Sequence, residues 1–287
     1  MHSSRLFHIK TADGRVLSGM IHGPEEGQPV LFIAGAATSK LMTFGDELLS
    51  SVNLCMVTMD RAGIGDSTPD PTRTLASTAA DYQSFLSAVL SGYGGPVPVV
   101  ANSQGAVFGL ALAQAGGAHN LTLVSPADEI AYPPIKAMLP PEATQLSELA
   151  QAHPEKAAEI LASFSPQAME DLVMNGSSPE DAAFYRTEPF LSLYRRSLAE
   201  GFENSGAGYV QDTLIAMRPW DISFDAIACP VHILFGARDL THSPDHGETL
   251  TARIPGASRK VFSNAGGALL WTHAQEILGT AVGTPLR

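Results

Sequence analysis

Ser103 lies in the part of the sequence that best fits a catalytic nucleophile. Residues 97–106 read as a short apolar strand, a tight turn at Ser103 and the start of an apolar helix. A serine on such a bend presents its hydroxyl outward, beside backbone N–H groups that the first turn of the helix leaves unpaired. The same string also fits a plain strand-to-helix turn, because Asn and Ser are common helix caps.

A serine nucleophile needs N–H donors at the point where the oxyanion develops. Residues 29–38 form a buried apolar strand that ends in small residues, so the loop after it can bring its backbone close to a ligand. We expect the N–H groups of Ala36 and Gln104 to form the oxyanion hole. Gly35 and Asn102 lie beside them in the sequence and are expected to contact substrate.

An acid is needed to orient the general base. Asp239 follows another buried strand, over residues 230–236, where an acid can reach the site; a turn aspartate is the alternative. Asp128 follows the strand near residues 120–125 and is a second, less favoured acid. The glycine-containing loop at residues 60–67 is interpreted as a structural turn without a catalytic role.

The elements around these residues indicate an α/β fold with a mostly parallel central sheet and helices on both faces, because β-branched runs alternate with helical patterns. Residues 6–10 and 16–21 predict an antiparallel hairpin at the sheet edge. The further predicted strands are at about 29–34, 53–59, 97–101, 120–125, 230–236 and 259–263. The predicted helices are at about 40–51, 74–91, 104–115, 245–253 and 269–282.

Between the strands near residues 125 and 230 the alternation stops, and helix-like segments separated by prolines follow. We predict a core of residues 1–126 and 225–287 with a helical lid insertion, residues 127–224. Such an insertion covers the carboxyl ends of the strands, where open α/β folds bind ligands. The apolar and aromatic residues of the insertion either line a pocket or hold the lid onto the core: Met138, Phe190, Tyr194, Phe202, Tyr209 and Trp220. Of these, Trp220 is expected to contact substrate, as is Leu269 of the core.

Together these segments resemble the α/β-hydrolase superfamily over nearly the whole chain. The resemblance rests on the strand order, residues 102–105, the loop at 60–67, the string Phe235-Gly-Ala-Arg-Asp239 and residues 264–277. It implies a nucleophile, an acid and a histidine, in that order along the chain. Ser103 and Asp239 match the first two, which implies acyl transfer through an acyl-enzyme on Ser103.

The third position does not match. Similar enzymes carry Gly-His before an apolar helix, whereas this chain has Ala265-Gly-Gly-Ala-Leu-Leu-Trp271. Aligned on the apolar run, the histidine position is Ala268; the alternative alignment gives Gly267. The resemblance thus predicts that the general base is missing. His273 or His242 is left open as a substitute, with His232, His119 and His153 less suitable.

Composition limits the ligands and the compartment. The chain has 287 residues and a formal net charge of −12, which disfavours nucleic acid and anionic membranes as partners. The sequence has no metal spacing, phosphate loop or dinucleotide fingerprint, so no cofactor is expected. Two cysteines without a redox spacing, Cys55 and Cys229, indicate buried free thiols in a reducing compartment. The lack of a signal-like N-terminus indicates a cytoplasmic location. Oligomeric state is not predictable here.

Two functions follow. The favoured one is a serine hydrolase that cleaves an ester or lactone of an apolar small molecule, inactive or very slow because Ala268 replaces histidine. The alternative is a non-hydrolytic member, such as a small-molecule binder, cyclase or lyase, that has lost the histidine naturally. A serine nucleophile disfavours the epoxide-hydrolase and haloalkane-dehalogenase branches, which attack through a carboxylate.

Overall fold

A computed structural model describes residues 4–90, 92 and 95–286. Within these residues, eight strands form one sheet in the order β1-β2-β4-β3-β5-β6-β7-β8. The strands are β1 Ser4–Lys10, β2 Val16–His22, β3 Gln28–Ile33, β4 Leu54–Met59, β5 Val97–Ser103, β6 Ala118–Pro126, β7 Val231–Gly236 and β8 Ser258–Phe262.

The sheet is parallel from β4 across to β8, whereas β1 and β2 form an antiparallel hairpin whose second strand pairs with β4. The predicted α/β class with a mostly parallel sheet is therefore confirmed. The strand β5, which ends at Ser103, lies between β3 and β6, in the interior of the sheet. Parallel strands in this position are covered on both faces, which explains why this part of the sequence is so apolar.

The helices outside the insertion flank the sheet. They are α1 Asp46–Leu49, α2 Leu75–Val89, α3 Gly105–Gln114, α11 Glu248–Arg253, α12 Leu269–Thr272 and α13 Ala274–Val282. Side chains of α2 and α3 contribute to one apolar cluster, and side chains of α1, α12 and α13 contribute to another. The two clusters form the core of the protein.

Two predicted helices differ most from the observed ones. The predicted helix at 40–51 is limited to α1, because the N–H of Lys40 binds Asp60 and Gly45 has a left-handed backbone, with φ +63°, just before the helix begins. The predicted helix at 269–282 is divided at His273 into α12 and α13.

The segment between β6 and β7, here called the insertion, contains a run of helices. They are α4 Pro133–Lys136, α5 Pro141–Ala152, α6 Pro154–Ala162, α7 Pro166–Gly176, α8 Pro179–Tyr185, α9 Phe190–Gly201 and α10 Ala207–Met217. Five of these helices begin with proline, which is favoured at the first helical position because that position needs no N–H donor. The prolines that interrupt the sequence pattern therefore mark helix starts.

Among the described residues, no helix is both long enough and apolar enough to cross a membrane. Both cysteines are free: Cys55 is buried, as expected, whereas Cys229 is half-buried.

Candidate active site

Ser103 lies at the sharp turn between β5 and α3. Its backbone is left-handed, with φ +54°, a conformation that is uncommon for residues other than glycine and is found at functional turns. The turn is tight because α3 approaches β3 closely: a Cβ atom on Gly105 would lie 2.4 Å from the carbonyl oxygen of Ile33. Only glycine fits at that point, so the close approach requires glycine at residue 105.

His242 lies beside the Ser103 hydroxyl. The Nε2 atom of His242 is 3.1 Å from Oγ of Ser103, and its Nδ1 atom is 2.8 Å from Oδ2 of Asp239. Because a carboxylate only accepts hydrogen bonds, Nδ1 carries the proton and Nε2 is free to accept from the serine hydroxyl. The three side chains therefore form a continuous hydrogen-bonded chain with the geometry of a nucleophile, a base and an orienting acid.

The turn after β7 holds Asp239 and His242 together. Oδ1 of Asp239 accepts hydrogen bonds from the backbone N–H groups of Thr241, at 3.1 Å, and His242, at 3.3 Å. Burial of the Asp239 carboxyl opposes its ionisation. The His242 ring and the hydrogen bonds of the turn outweigh burial and hold the pKa of Asp239 well below its usual value. The Asp239 carboxylate is thus an anion that binds backbone N–H groups of the turn and also faces the imidazole of His242.

His242, which the sequence leaves open as a substitute base, is thus the histidine that lies beside Ser103. The expected base position, Ala268, is 2% exposed and directly precedes α12. The backbone N–H of Ala268 donates to Oδ1 of Asp181, 3.0 Å away on α8 of the insertion. The histidine comes instead from the turn that supplies the acid, so it precedes residue 268 by more than twenty positions.

Gly267, rather than Ala268, borders the cavity beside the histidine and the acid. A Cβ atom on Gly267 would lie 3.4 Å from Oδ1 of Asp239, an ordinary contact distance. At Gly266 a Cβ atom would lie 2.2 Å from Oδ2 of Asp181, so that position has no room for a side chain. Of the two glycines, only Gly267 therefore has room for a side chain that approaches Asp239.

The other histidines considered make different contacts. The His273 ring packs against Phe262 with ring centroids 5.1 Å apart, and His232 contacts Ser258 across neighbouring strands, at 2.7 Å. His119 is an exposed residue of β6, and His153 follows α5. Sequence reasoning gave His242 no preference, although Asp239-Leu-Thr-His242 fits a turn in which the aspartate side chain binds the backbone two and three residues on.

The predicted oxyanion donors are free. In the part of the chain that the structure describes, the N–H groups of Ala36 and Gln104 donate no hydrogen bond. Ala36 borders the same cavity as Ser103, and Gln104 follows Ser103 directly at the start of α3. Unpaired backbone donors at a helix start suit a developing oxyanion.

Arg61 contacts the loop that carries Ala36, and sequence reasoning missed it. The guanidinium of Arg61 donates to the carbonyl oxygens of Ala34 and Gly35, at 3.2 Å each, and to Oδ2 of Asp212 at 2.6 Å. Arg61 is 2% exposed. The loop at residues 60–67 thus does more than turn the chain, because it fixes the carbonyl groups directly before Ala36.

Asp128, the second candidate acid, does not contact His242. Its carboxylate accepts from the N–H of Glu129, at 2.7 Å, and from the hydroxyl of Ser243, at 3.3 Å. Burial raises the pKa of Asp128 to about 6. The Asp128 side chain therefore supports the residue next to the histidine and not the histidine itself.

A cavity of about 410 Å³ opens at Ser103 and His242. Among the described residues that border it, none is an aspartate, glutamate, lysine or arginine. Its apolar walls include residues of α7 and α9 of the insertion: Met169, Leu172, Val173, Phe190 and Tyr194. The predicted substrate contacts Gly35 and Asn102 border this cavity. Leu269 and Trp220 do not, nor do Met138, Phe202 and Tyr209; Trp220 packs in the apolar cluster that includes α2 and α3.

The fold, with a serine at the turn after an interior parallel strand, is that of an α/β hydrolase. The chain belongs to the alpha/beta hydrolase family, whose sequence profile matches residues 30–279. No curated protein matches the sequence.

Solved structures show the same fold over nearly the full length. A hydrolase from Pseudomonas aeruginosa PA01 is 21% identical, with a TM-score of 0.70, and the match covers 98% of this chain and 99% of that one. A thermophilic esterase from Thermogutta terrifontis is 18% identical, with a TM-score of 0.67 and coverage of 97% and 96%. An enol-lactonase from Burkholderia xenovorans LB400 is 17% identical, with a TM-score of 0.61 and coverage of 98% and 96%. At these identities the likeness establishes the fold alone.

Proposed function

We propose that the protein is an active serine hydrolase that cleaves a carboxylic ester or lactone of an uncharged, mainly apolar small molecule. The observation that carries the proposal is the chain of hydrogen bonds from Ser103 Oγ through the His242 ring to Asp239. The esterase and enol-lactonase among the similar structures support the choice of ester or lactone.

In the first half of the reaction, Oγ of Ser103 attacks the carbonyl carbon while Nε2 of His242 takes the hydroxyl proton. The negative charge moves to the carbonyl oxygen, where the N–H groups of Ala36 and Gln104 stabilise it. The imidazolium then gives its proton to the leaving alkoxide as the carbon–oxygen bond breaks. Asp239, ionised throughout, stabilises the imidazolium.

In the second half, water attacks the acyl-enzyme and His242 takes one of its protons. The proton returns to Oγ of Ser103 as the acyl–oxygen bond breaks, and the carboxylic acid leaves. With a lactone, the alcohol and the acid belong to one product molecule. This sequence needs no group at residue 268, so we propose that alanine there does not inactivate the chain.

The substrate class follows from the cavity. Its walls are mainly apolar, and burial of apolar surface contributes about 25 cal/mol per Å² to binding. Leu172 and Leu240 border the cavity although they are 58% and 71% exposed, which suits an entrance for an apolar molecule. We further propose that the insertion, residues 127–224, serves as a lid, because α7 and α9 supply part of the wall.

The test is hydrolysis of 4-nitrophenyl butanoate, with detection of the acyl-enzyme by mass spectrometry after a rapid acid quench. We expect multiple turnovers by the wild-type protein, an acyl adduct on the peptide that contains Ser103, and neither with Ser103→Ala. Turnover that survives Ser103→Ala would contradict the proposal. Absence of turnover in the folded wild-type protein, for this ester and for a panel of lactones, would favour a non-hydrolytic role.

A further inference from the structure

A small polar space lies above the Cα atom of Gly267, at one side of the cavity. A Cβ atom built on Gly267 would lie 3.4 Å from Oδ1 of Asp239, 3.5 Å from the hydroxyl of Tyr185 and 3.6 Å from Oγ1 of Thr241. Gly267, Tyr185 and Thr241 all border the cavity. Three oxygen atoms therefore lie close to Gly267 at one edge of the cavity, where the chain places no side chain.

Tyr185 brings an unused donor to this space. The residue is 5% exposed, yet its hydroxyl makes no hydrogen bond with any described residue of the chain. The ring is held by aromatic neighbours, stacked on Phe190 at a centroid distance of 5.1 Å and edge-on to Trp271 at 5.9 Å. The hydroxyl oxygen itself is not sealed from the cavity, so a bound molecule can accept its hydrogen bond.

The neighbouring charges define that partner. Burial, followed by the carboxylates of Asp181 and Asp239, raises the pKa of Tyr185 well above its usual value, so the hydroxyl keeps its proton and can donate. Oδ1 of Asp239 already accepts from the backbone of Thr241 and His242 and from the Thr241 hydroxyl, at 3.2 Å. The nearby carboxylates repel anions. The space therefore suits an uncharged oxygen that accepts a hydrogen bond.

We propose that Tyr185 and Gly267 form a specificity subsite for a second oxygen acceptor on the substrate, a ketone or ether oxygen in addition to the ester group that reacts. The proposal rests on the proposed hydrolase function and narrows its substrate class. The favoured substrate is thus an ester or lactone whose apolar body carries one further uncharged acceptor, which binds to the Tyr185 hydroxyl during the reaction.

The test compares esters in matched pairs that differ in one oxygen. Two pairs vary the acyl part: 4-nitrophenyl 4-oxopentanoate with 4-methylpentanoate, and 4-nitrophenyl methoxyacetate with butanoate. One pair varies the alcohol: 2-methoxyethyl butanoate with butyl butanoate. For each pair, the ratio of kcat/KM is measured for the wild-type protein, Tyr185→Phe and Tyr209→Phe. Tyr209 is a buried tyrosine, 4% exposed, that does not border the cavity.

We expect Tyr185→Phe to lower the ratio by about fivefold or more in at least one pair, the size expected for one hydrogen bond, while Tyr209→Phe leaves every ratio unchanged. A role in packing alone lowers both members of a pair equally. Unchanged ratios in all three pairs, with hydrolysis still dependent on Ser103, would overturn the subsite only. Loss of Ser103 dependence in the wild-type reactions would overturn the proposed function and the subsite with it.

Discussion

The Nδ1 atom of His242 lies 2.8 Å from Oδ2 of Asp239, although the two residues are only three positions apart in the chain. One turn after β7 therefore carries both the proposed base and the acid that orients it. Because backbone N–H groups of the same turn bind Asp239, the geometry of the pair is set locally. The position of β7 in the sheet then brings the imidazole to Ser103.

The acid can be identified by comparing two isosteric variants. We expect Asp239→Asn to lower kcat for 4-nitrophenyl butanoate by about 10⁴-fold, because an amide does not stabilise the imidazolium or its required tautomer. The matched variant Asp128→Asn should retain kcat within a few-fold, because Asp128 contacts Ser243 and not the imidazole. Steady-state kinetics decides between them, and a larger loss in Asp128→Asn would reverse the assignment.

Position 267 offers a second approach to Asp239. Gly267 does not have a left-handed backbone, and the contacts of a Cβ atom there are of ordinary length. We therefore expect His242→Ala/Gly267→His to regain at least tenfold in kcat over His242→Ala. The double variant His242→Ala/Ala268→His should regain nothing, since residue 268 does not border the cavity. Recovery only with histidine at 268 would show that residue 268, and not residue 267, faces Asp239 and Ser103.

Arg61 should contribute far more to stability than an exposed arginine of similar pairing. In Arg61→Gln two carbonyl groups lose a donor and Asp212 keeps only Arg73 as its cationic partner, and leaving buried acceptors unpaired costs about 1–3 kcal/mol. The control is Arg195→Gln on α9, whose side chain is 57% exposed and pairs with Glu170; we expect a clearly smaller loss there, because solvent screens the exposed guanidinium. Urea unfolding measures both, and equal losses would refute the role given to Arg61.

The buried carboxyl of Asp128 should make the free energy of unfolding of the protein depend on pH. Burial raises its pKa to about 6 in the folded protein, above the value of about 3.9 in an unfolded chain. The folded state then binds more protons between these values, so this group's contribution is present at low pH and is lost as the pH rises through 6. Between pH 4.5 and pH 8 the wild-type protein should lose about 2 kcal/mol relative to Asp128→Asn. If the urea midpoints of the wild-type protein and of Asp128→Asn changed with pH in parallel, the predicted loss of stability would be contradicted.

The fold and the placement of Ser103 follow from local patterns. Short apolar runs that alternate with helices predict a parallel sheet, and the small residues near Ser103 predict the turn on which it lies. The predicted helix over 40–51 was wrong for most of its length, because the bond between Lys40 and Asp60 is a tertiary contact that no local pattern contains.

The histidine could not be found by comparison with its usual position before an apolar helix, although it follows the acid in the chain as the usual order requires. His242 contacts Ser103 because β7 lies two strands from β5 in the sheet, a relationship that depends on topology and not on sequence spacing. The contact of Arg61 with the carbonyl groups before Ala36 likewise depends on how the chain is assembled and not on sequence spacing. A serine turn and the residue after a strand can be recognised locally, whereas the partner that a side chain meets depends on the assembled sheet.

The central claim, that His242 activates Ser103, is tested most directly by the rate at which a fluorophosphonate labels Ser103. The wild-type protein, His242→Ala and His273→Ala are labelled in parallel, and the modified peptide is located by mass spectrometry. We predict that His242→Ala lowers the second-order labelling rate by at least 10³-fold while His273→Ala labels at the wild-type rate. Labelling of Ser103 at the wild-type rate in folded His242→Ala would contradict the claim.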